Sequence, residues 1–144
     1  MQRLISIASM LAAVIATATP AIAQAPADVI RSRGLIGVWA ANCGKPANVE
    51  NVHTTYELRG NKAFQINEFG RRDEFEVTSA TIVSDQEVSF VYRSSTGQNL
   101  TIQLYVDFGG RIRTWTSSSG GTVFVNQGVV VGNGRPTQWL TKCK

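Results

Sequence analysis

The chain has 144 residues, 14 basic and 10 acidic, for a formal charge of +4. That is one domain's worth of sequence; 43% hydrophobic and 17% charged residues exclude a disordered chain, a collagen-like repeat and a coiled coil. The Lys and Arg are scattered and their excess is small, which argues against nucleic acid as a partner.

Arg3 precedes an apolar run over residues 4–18, Pro20 then breaks any helix, and Ala21 and Ala23 are small. This pattern fits a signal peptide over residues 1–23 cleaved before Gln24, leaving a single domain over residues 24–144. The alternative is a membrane anchor, but the stretch is short and interrupted by Ser and Thr. The expected product is exported, to a periplasm or beyond, with no membrane span after cleavage. Export gives the only two cysteines, Cys43 and Cys143, an oxidising compartment in which to pair. Such a bond closes a loop of about 100 residues, nominally ~4–5 kcal/mol in the chain-entropy model. Neither Cys has His or carboxylate neighbours at metal-ligand spacing, and the sequence carries no cofactor motif.

Residues 25–34 (APADVIRSRG) read as a short helical turn, with Asp28 as its cap and Gly34 as its stop. Beyond it the chain shows short runs of period-two alternation separated by turn residues. Strands are expected over residues 35–40, 52–58, 63–69, 73–82, 87–93 and 99–108, the last with Leu100, Ile102, Leu104, Val106 and Phe108 on one face. Gly109-Gly110 signals a hairpin into residues 111–117. Strands over 122–131 and 137–142 follow, separated by Gly132-Asn133-Gly134. Eight or nine strands joined by tight turns give an all-β fold. Its exposed edges are covered if the meander curls into a small antiparallel up-and-down β-barrel. Cys43 and Cys143 then sit where first and last strands meet. A two-sheet sandwich is the alternative; an outer-membrane barrel would need longer strands and more aromatic girdling.

Gly37-Val38-Trp39, on the first strand after a helical turn, resembles the G-x-W start of the calycin barrels (lipocalins, fatty-acid-binding proteins and avidins). That resemblance implies a Trp packed across one end of the barrel and a late basic residue stacked on it, for which Arg113 and Arg135 are candidates. Leader, G-x-W, Cys and the closing Trp139-Leu140-Thr141-Lys142-Cys143 also resemble small secreted proteobacterial proteins of unassigned function, implying a fold and a compartment. The end-to-end cysteines resemble periplasmic lysozyme inhibitors as well. Their functional loop is S-G-x-x-Y, where this chain has Ser119-Gly120-Gly121-Thr122-Val123, with Val in the aromatic position.

His53 is the only histidine, and no nucleophile pattern accompanies it. Asp73, Glu74 and Glu76 form an acidic cluster that would suit glycosidic hydrolysis or a hard cation if the carboxylates were free; a solvated strand face is the plainer reading. Arg111, Arg113 and Trp115 alternate on one strand face. Pointing inward, they would line a cavity for an anionic or aromatic ligand; pointing outward, they are strand surface. Tyr56 and Tyr105 share that ambiguity, and with Trp39 they complete the candidate ligand-binding set: Trp39, Tyr56, Tyr105, Arg113 and Trp115. No catalytic residue is assigned. The expected function is non-catalytic binding, of a small apolar or amphipathic ligand or of a periplasmic protein. The alternatives are inhibition of a hydrolase such as lysozyme and, last, a carboxylate-based hydrolase.

Overall fold

The computed structural model describes residues 24–143, so the leader expected over residues 1–23 lies outside the described residues. One short helix, α1 (Pro26–Ser32), precedes ten strands in a single antiparallel sheet. They are β1 (Gly37–Ala40), β2 (His53–Arg59), β3 (Lys62–Glu68), β4 (Arg72–Ile82) and β5 (Glu87–Arg93), then β6 (Asn99–Val106), β7 (Ile112–Ser119), β8 (Thr122–Asn126), β9 (Val129–Val130) and β10 (Thr141–Lys142). Strands β1 to β9 are ordered as in sequence, and β10 returns to pair with β1 through Trp39–Lys142 and Ala40–Thr141.

The inner face follows from alternation. Val88, Phe90 and Tyr92 on β5 lie opposite Leu104, Ile102 and Leu100 on β6, and all six join the core or pack on it. Residues 53–59 and 62–68 form a hairpin in register through Arg59–Lys62, with Gly60 at φ +63° making the turn. Helix α1 buries Ala27, Val29 and Ile30 and lays Val29 and Ile30 into the same core. Its first residue, Pro26, lies by Asn61 and Lys62, so the helix covers the end of the sheet where the β2–β3 turn lies. Pro26 has the fixed φ that opens a helix. Asp28 is not the expected cap: it stands in the first turn, paired with Arg31 at 2.9 Å, while Ala25 occupies the cap position.

Ten strands replace the eight or nine expected, because residues 122–131 do not form one strand. A turn at Gln127 (φ +47°) and Gly128 (φ +74°) splits them into β8 and β9. Strand β6 stops at Val106, since Asp107 closes a turn by accepting the Gly110 and Arg111 N–H groups, leaving Phe108 96% exposed rather than on the core face. A register shift between Gln103 and Leu104 turns Thr116 outward, onto the Gln103 side chain.

The sheet does not close as a continuous ladder. The free edge of β7 is met in turn by β8, by Gly128 (its N–H to the Trp115 carbonyl, 2.7 Å) and by Thr137 (its hydroxyl to the Thr114 carbonyl, 2.7 Å). Leu140 follows, exchanging two hydrogen bonds with Ile112. One residue later the chain becomes β10 and pairs with β1. Irregular chain thus fills the seam between β7 and β1, and the Cys43–Cys143 disulfide, with Cα atoms 5.4 Å apart, fastens it. A disulfide suits an oxidising, extracytoplasmic compartment. Among the described residues, no helix is long and apolar enough to cross a membrane.

The bridge spans 100 residues of sequence. Replacing both cysteines by Ser is expected to lower the unfolding free energy by as much as about 5 kcal/mol. Urea melts of the two forms check this, and coincident midpoints would show that the seam holds without its bridge.

Candidate functional site

The interior is packed rather than open. Tyr56, Phe90 and Tyr92 form a tilted aromatic row, with ring centroids 6.1 and 5.8 Å apart, and the Tyr56 and Tyr92 hydroxyls meet at 3.4 Å. Burial pushes both phenols well above their ordinary range. Trp39 is buried among α1 and Leu35, and its indole N–H donates to the Leu35 carbonyl at 2.7 Å. The cation over its ring is Lys142, 5.8 Å from the centroid, and not Arg113 or Arg135.

Space remains on the inner face, away from the Gly60 turn. A recess of about 30 Å³ is lined by Tyr56, Thr54, Gln65, Ile102 and Leu140 among others. Thr54, Gln65, Ile102 and Leu140 also line a cleft of about 280 Å³, where Asn67, Thr137 and Gln138 add a polar rim. Thr54 hydroxyl and Gln65 amide both donate to Asn67 Oδ1 at 3.0 Å. The second bond ties down the Gln65 amide nitrogen, while Oε1 is buried without a partner on a residue only 7% exposed. A buried acceptor left unpaired costs about 1–3 kcal/mol. The arrangement supplies one hydrogen-bond acceptor at the foot of a small apolar cleft.

Of the residues expected to line a cavity, Tyr56 and Arg113 both line the recess. Tyr105 and Trp115 stand on the outer face, because Tyr105 pairs with Glu87 and Arg113, opposite the side occupied by Val88, Leu104 and Ile112. There they form a stack that includes Trp139, which the site prediction omitted: Tyr105 lies 5.5 Å from Trp115 and 6.1 Å from Trp139, and Arg113 is 4.9 Å from both indoles. Gly128 is pressed against this guanidinium; a Cβ there would sit 2.2 Å from Arg113 Nη2.

The remaining candidates have structural partners. His53 Nε2 lies 3.0 Å from the Lys45 carbonyl and 3.1 Å from Asn51 Nδ2, within a network that also ties Asn51 to the Asn42 backbone. The acidic cluster is ion-paired: Arg59 with Glu74, Lys62 with Glu76, Arg71 with Asp73. Arg59 holds Glu74 below the usual carboxylate range, the opposite of what a general acid needs. Residues 119–123 make the β7–β8 turn, with Val123 half exposed where an inhibitor loop would carry an aromatic.

No family model matches this sequence, and no curated protein or solved structure matches it either.

Two outcomes follow from this packing. Above pH ~10 the unfolded chain loses two phenolic protons that the folded chain keeps, so stability is full below that pH and falls as pH rises, by up to about 2.7 kcal/mol per unit. Denaturant melts from neutral pH upward should show this slope, roughly halved in Tyr92→Phe. Gly128→Ala should cost more than Gly134→Ala, whose site also has positive φ but open space. The Gly134 change is expected to cost about 1 kcal/mol, and equal urea midpoints for the two variants would remove the Arg113 contact as the cause.

Proposed function

We propose that this protein is an exported, non-catalytic binding protein of the periplasm whose ligand is a compact, neutral molecule seated in the cleft above Gln65. The single observation that carries the reading is Gln65, whose buried Oε1 has no partner and which lines both the recess and the larger opening. Its ligand presents one hydroxyl or N–H donor to that oxygen and an apolar body to Ile102 and Leu140. The cleft, about 280 Å³, falls just under the usual range for ligand pockets, which sets the size at a single small ring or short branched chain. A long fatty chain does not fit, because the aromatic row of Tyr56, Phe90 and Tyr92 fills the space below.

Specificity comes from the donor. An apolar isostere would strand Gln65 Oε1 and forfeit a neutral hydrogen bond, about 0.5–1.5 kcal/mol. The non-catalytic character is supported by the ion-paired state of Asp73, Glu74 and Glu76 and by the structural bonding of His53. The signal-like leader and the disulfide support export.

Thermal unfolding with millimolar phenol and toluene tests the reading. Phenol is expected to raise the melting temperature more than toluene, and Gln65→Leu should abolish the difference. No phenol effect on the wild-type protein, or an undiminished preference in the variant, would overturn it.

A further inference from the structure

The outer face built on β6, β7 and the seam carries a second set of groups, half-buried apart from the exposed Arg111. Tyr105 and Trp115 come from adjacent strands, Trp139 from the seam, and Arg111 and Arg113 are interleaved with them. Arg111 is neutralised by Asp107, 2.7 Å away. Arg113 is different. Among the described residues no carboxylate lies within ion-pair distance of it, as is also true of Arg33, Arg93 and Arg135, but of these four only Arg113 lies over aromatic rings. Its Nε is buried and has no hydrogen-bond partner. Two indoles and the Gly128 backbone hold the guanidinium in one place, so its charge is preorganised rather than swinging in solvent.

Beside this stack projects the β8–β9 arm. Val123, Phe124, Val129 and Val131 on it are 41–58% exposed, four of the large apolar side chains the protein leaves in water. Gly128, at the tip of that arm, touches Arg113, which sets the arm beside the fixed cation. Tyr, Trp and Arg in a cluster with aliphatic neighbours are the composition of protein-binding hot spots.

We propose that this face docks an acidic segment of a partner polypeptide, with a Glu or Asp carboxylate on Arg113 and apolar side chains on the β8–β9 arm. Charge complementarity commits the occupant: the one thing missing around Arg113 is a carboxylate, and a planar guanidinium fork pairs with it in two parallel hydrogen bonds. A sugar would need a free aromatic face to stack on, but guanidinium groups cover Trp115 and Trp139. Arg113 also lines the recess beside Gln65, but this reading rests on the cation and the other on the amide oxygen, so separate variants test them.

The experiment is a titration of the exported protein with an acetylated hexapeptide of four Glu and two Leu, followed by Trp fluorescence and by the Arg Nε–H signals in NMR. The same peptide with Gln for Glu is the control, and dextran sulfate is the non-peptide anion. Expected are binding of the Glu peptide with the Arg113 Nε–H resonance shifted, weakening with salt, and at least tenfold weaker binding in Arg113→Gln. The variant's thermal melt verifies that it is folded, and Arg71→Gln, an exposed cation in the β3–β4 turn, should bind as wild type. Equal binding of the Gln peptide, dextran sulfate binding as tightly as the Glu peptide, no binding of the Glu peptide, or unchanged affinity in Arg113→Gln would each overturn the proposal.

Discussion

A sheet that runs through nine strands in sequence order has two free edges, and exposed edges invite pairing with other chains. This protein meets that constraint with its C-terminal segment. Residues 128–142 supply one hydrogen bond each from Gly128 and Thr137 and a reciprocal pair at Leu140 to β7 on one side, and a two-residue ladder to β1 on the other. Few hydrogen bonds hold so short a closure, and a cross-link between Cys43 and Cys143 beside it restricts how far the unfolded chain can separate those ends. The covalent bond lies at the point where the noncovalent pairing is thinnest.

Both surfaces of interest depend on the same segment. Leu140 faces inward, pairs with Ile112 and lines the cleft; Trp139, its neighbour, faces outward and stacks with Arg113 and Tyr105. Strand-like alternation across two residues therefore divides the seam between an inner and an outer role. Anchoring at Ile112 fixes both side chains at once, so the geometry of either surface is set by seam register more than by the long strands around it.

Much of this was legible in the alternation of apolar and polar residues. Residues 87–93 form a strand with the expected limits, because Val88, Phe90 and Tyr92 alternate with Glu87, Ser89, Val91 and Arg93 and turn residues flank them. The terminal disulfide followed from two cysteines and the expectation of export. Other features were hidden for physical reasons. Residues 122–131 are so rich in Val that their apolar run masks a turn that needs positive φ at Gln127 and Gly128. Arg113 and Trp115 sit opposite Ile112 and Thr114 on a strand with no strongly apolar side, so their direction had to come from the pairing with Tyr105. Gln65 gave no signal, since a Gln between Phe64 and Ile66 reads as the polar side of a strand; only the register against Tyr56 turns it inward. Lys142 took the place expected for an arginine over Trp39 because β10 pairs directly with β1, and the fold brings the last basic residue before Cys143 onto that ring.

Arginine does opposite work on the two sides of this molecule, and the contrast explains where binding is to be sought. On β2 and β4, and in the turn between β3 and β4, each cation has a carboxylate two residues away or on a neighbouring strand. Arg59 bridges Glu57 and Glu74, and Arg72 reaches Glu68 and Glu74. Such exposed pairs are screened by solvent and contribute little to stability individually. They do cancel the field locally, so that surface offers neither a free nucleophile nor an uncompensated charge. Around Arg113 the sequence supplies Trp115, Trp139, Tyr105 and Gly128 instead of acids. Aromatic faces hold a guanidinium through its flat side and leave its in-plane donors uncommitted. A charge that is held rigidly but left unneutralised carries its desolvation cost without internal compensation, and a carboxylate arriving from outside recovers the interaction that the fold itself forgoes.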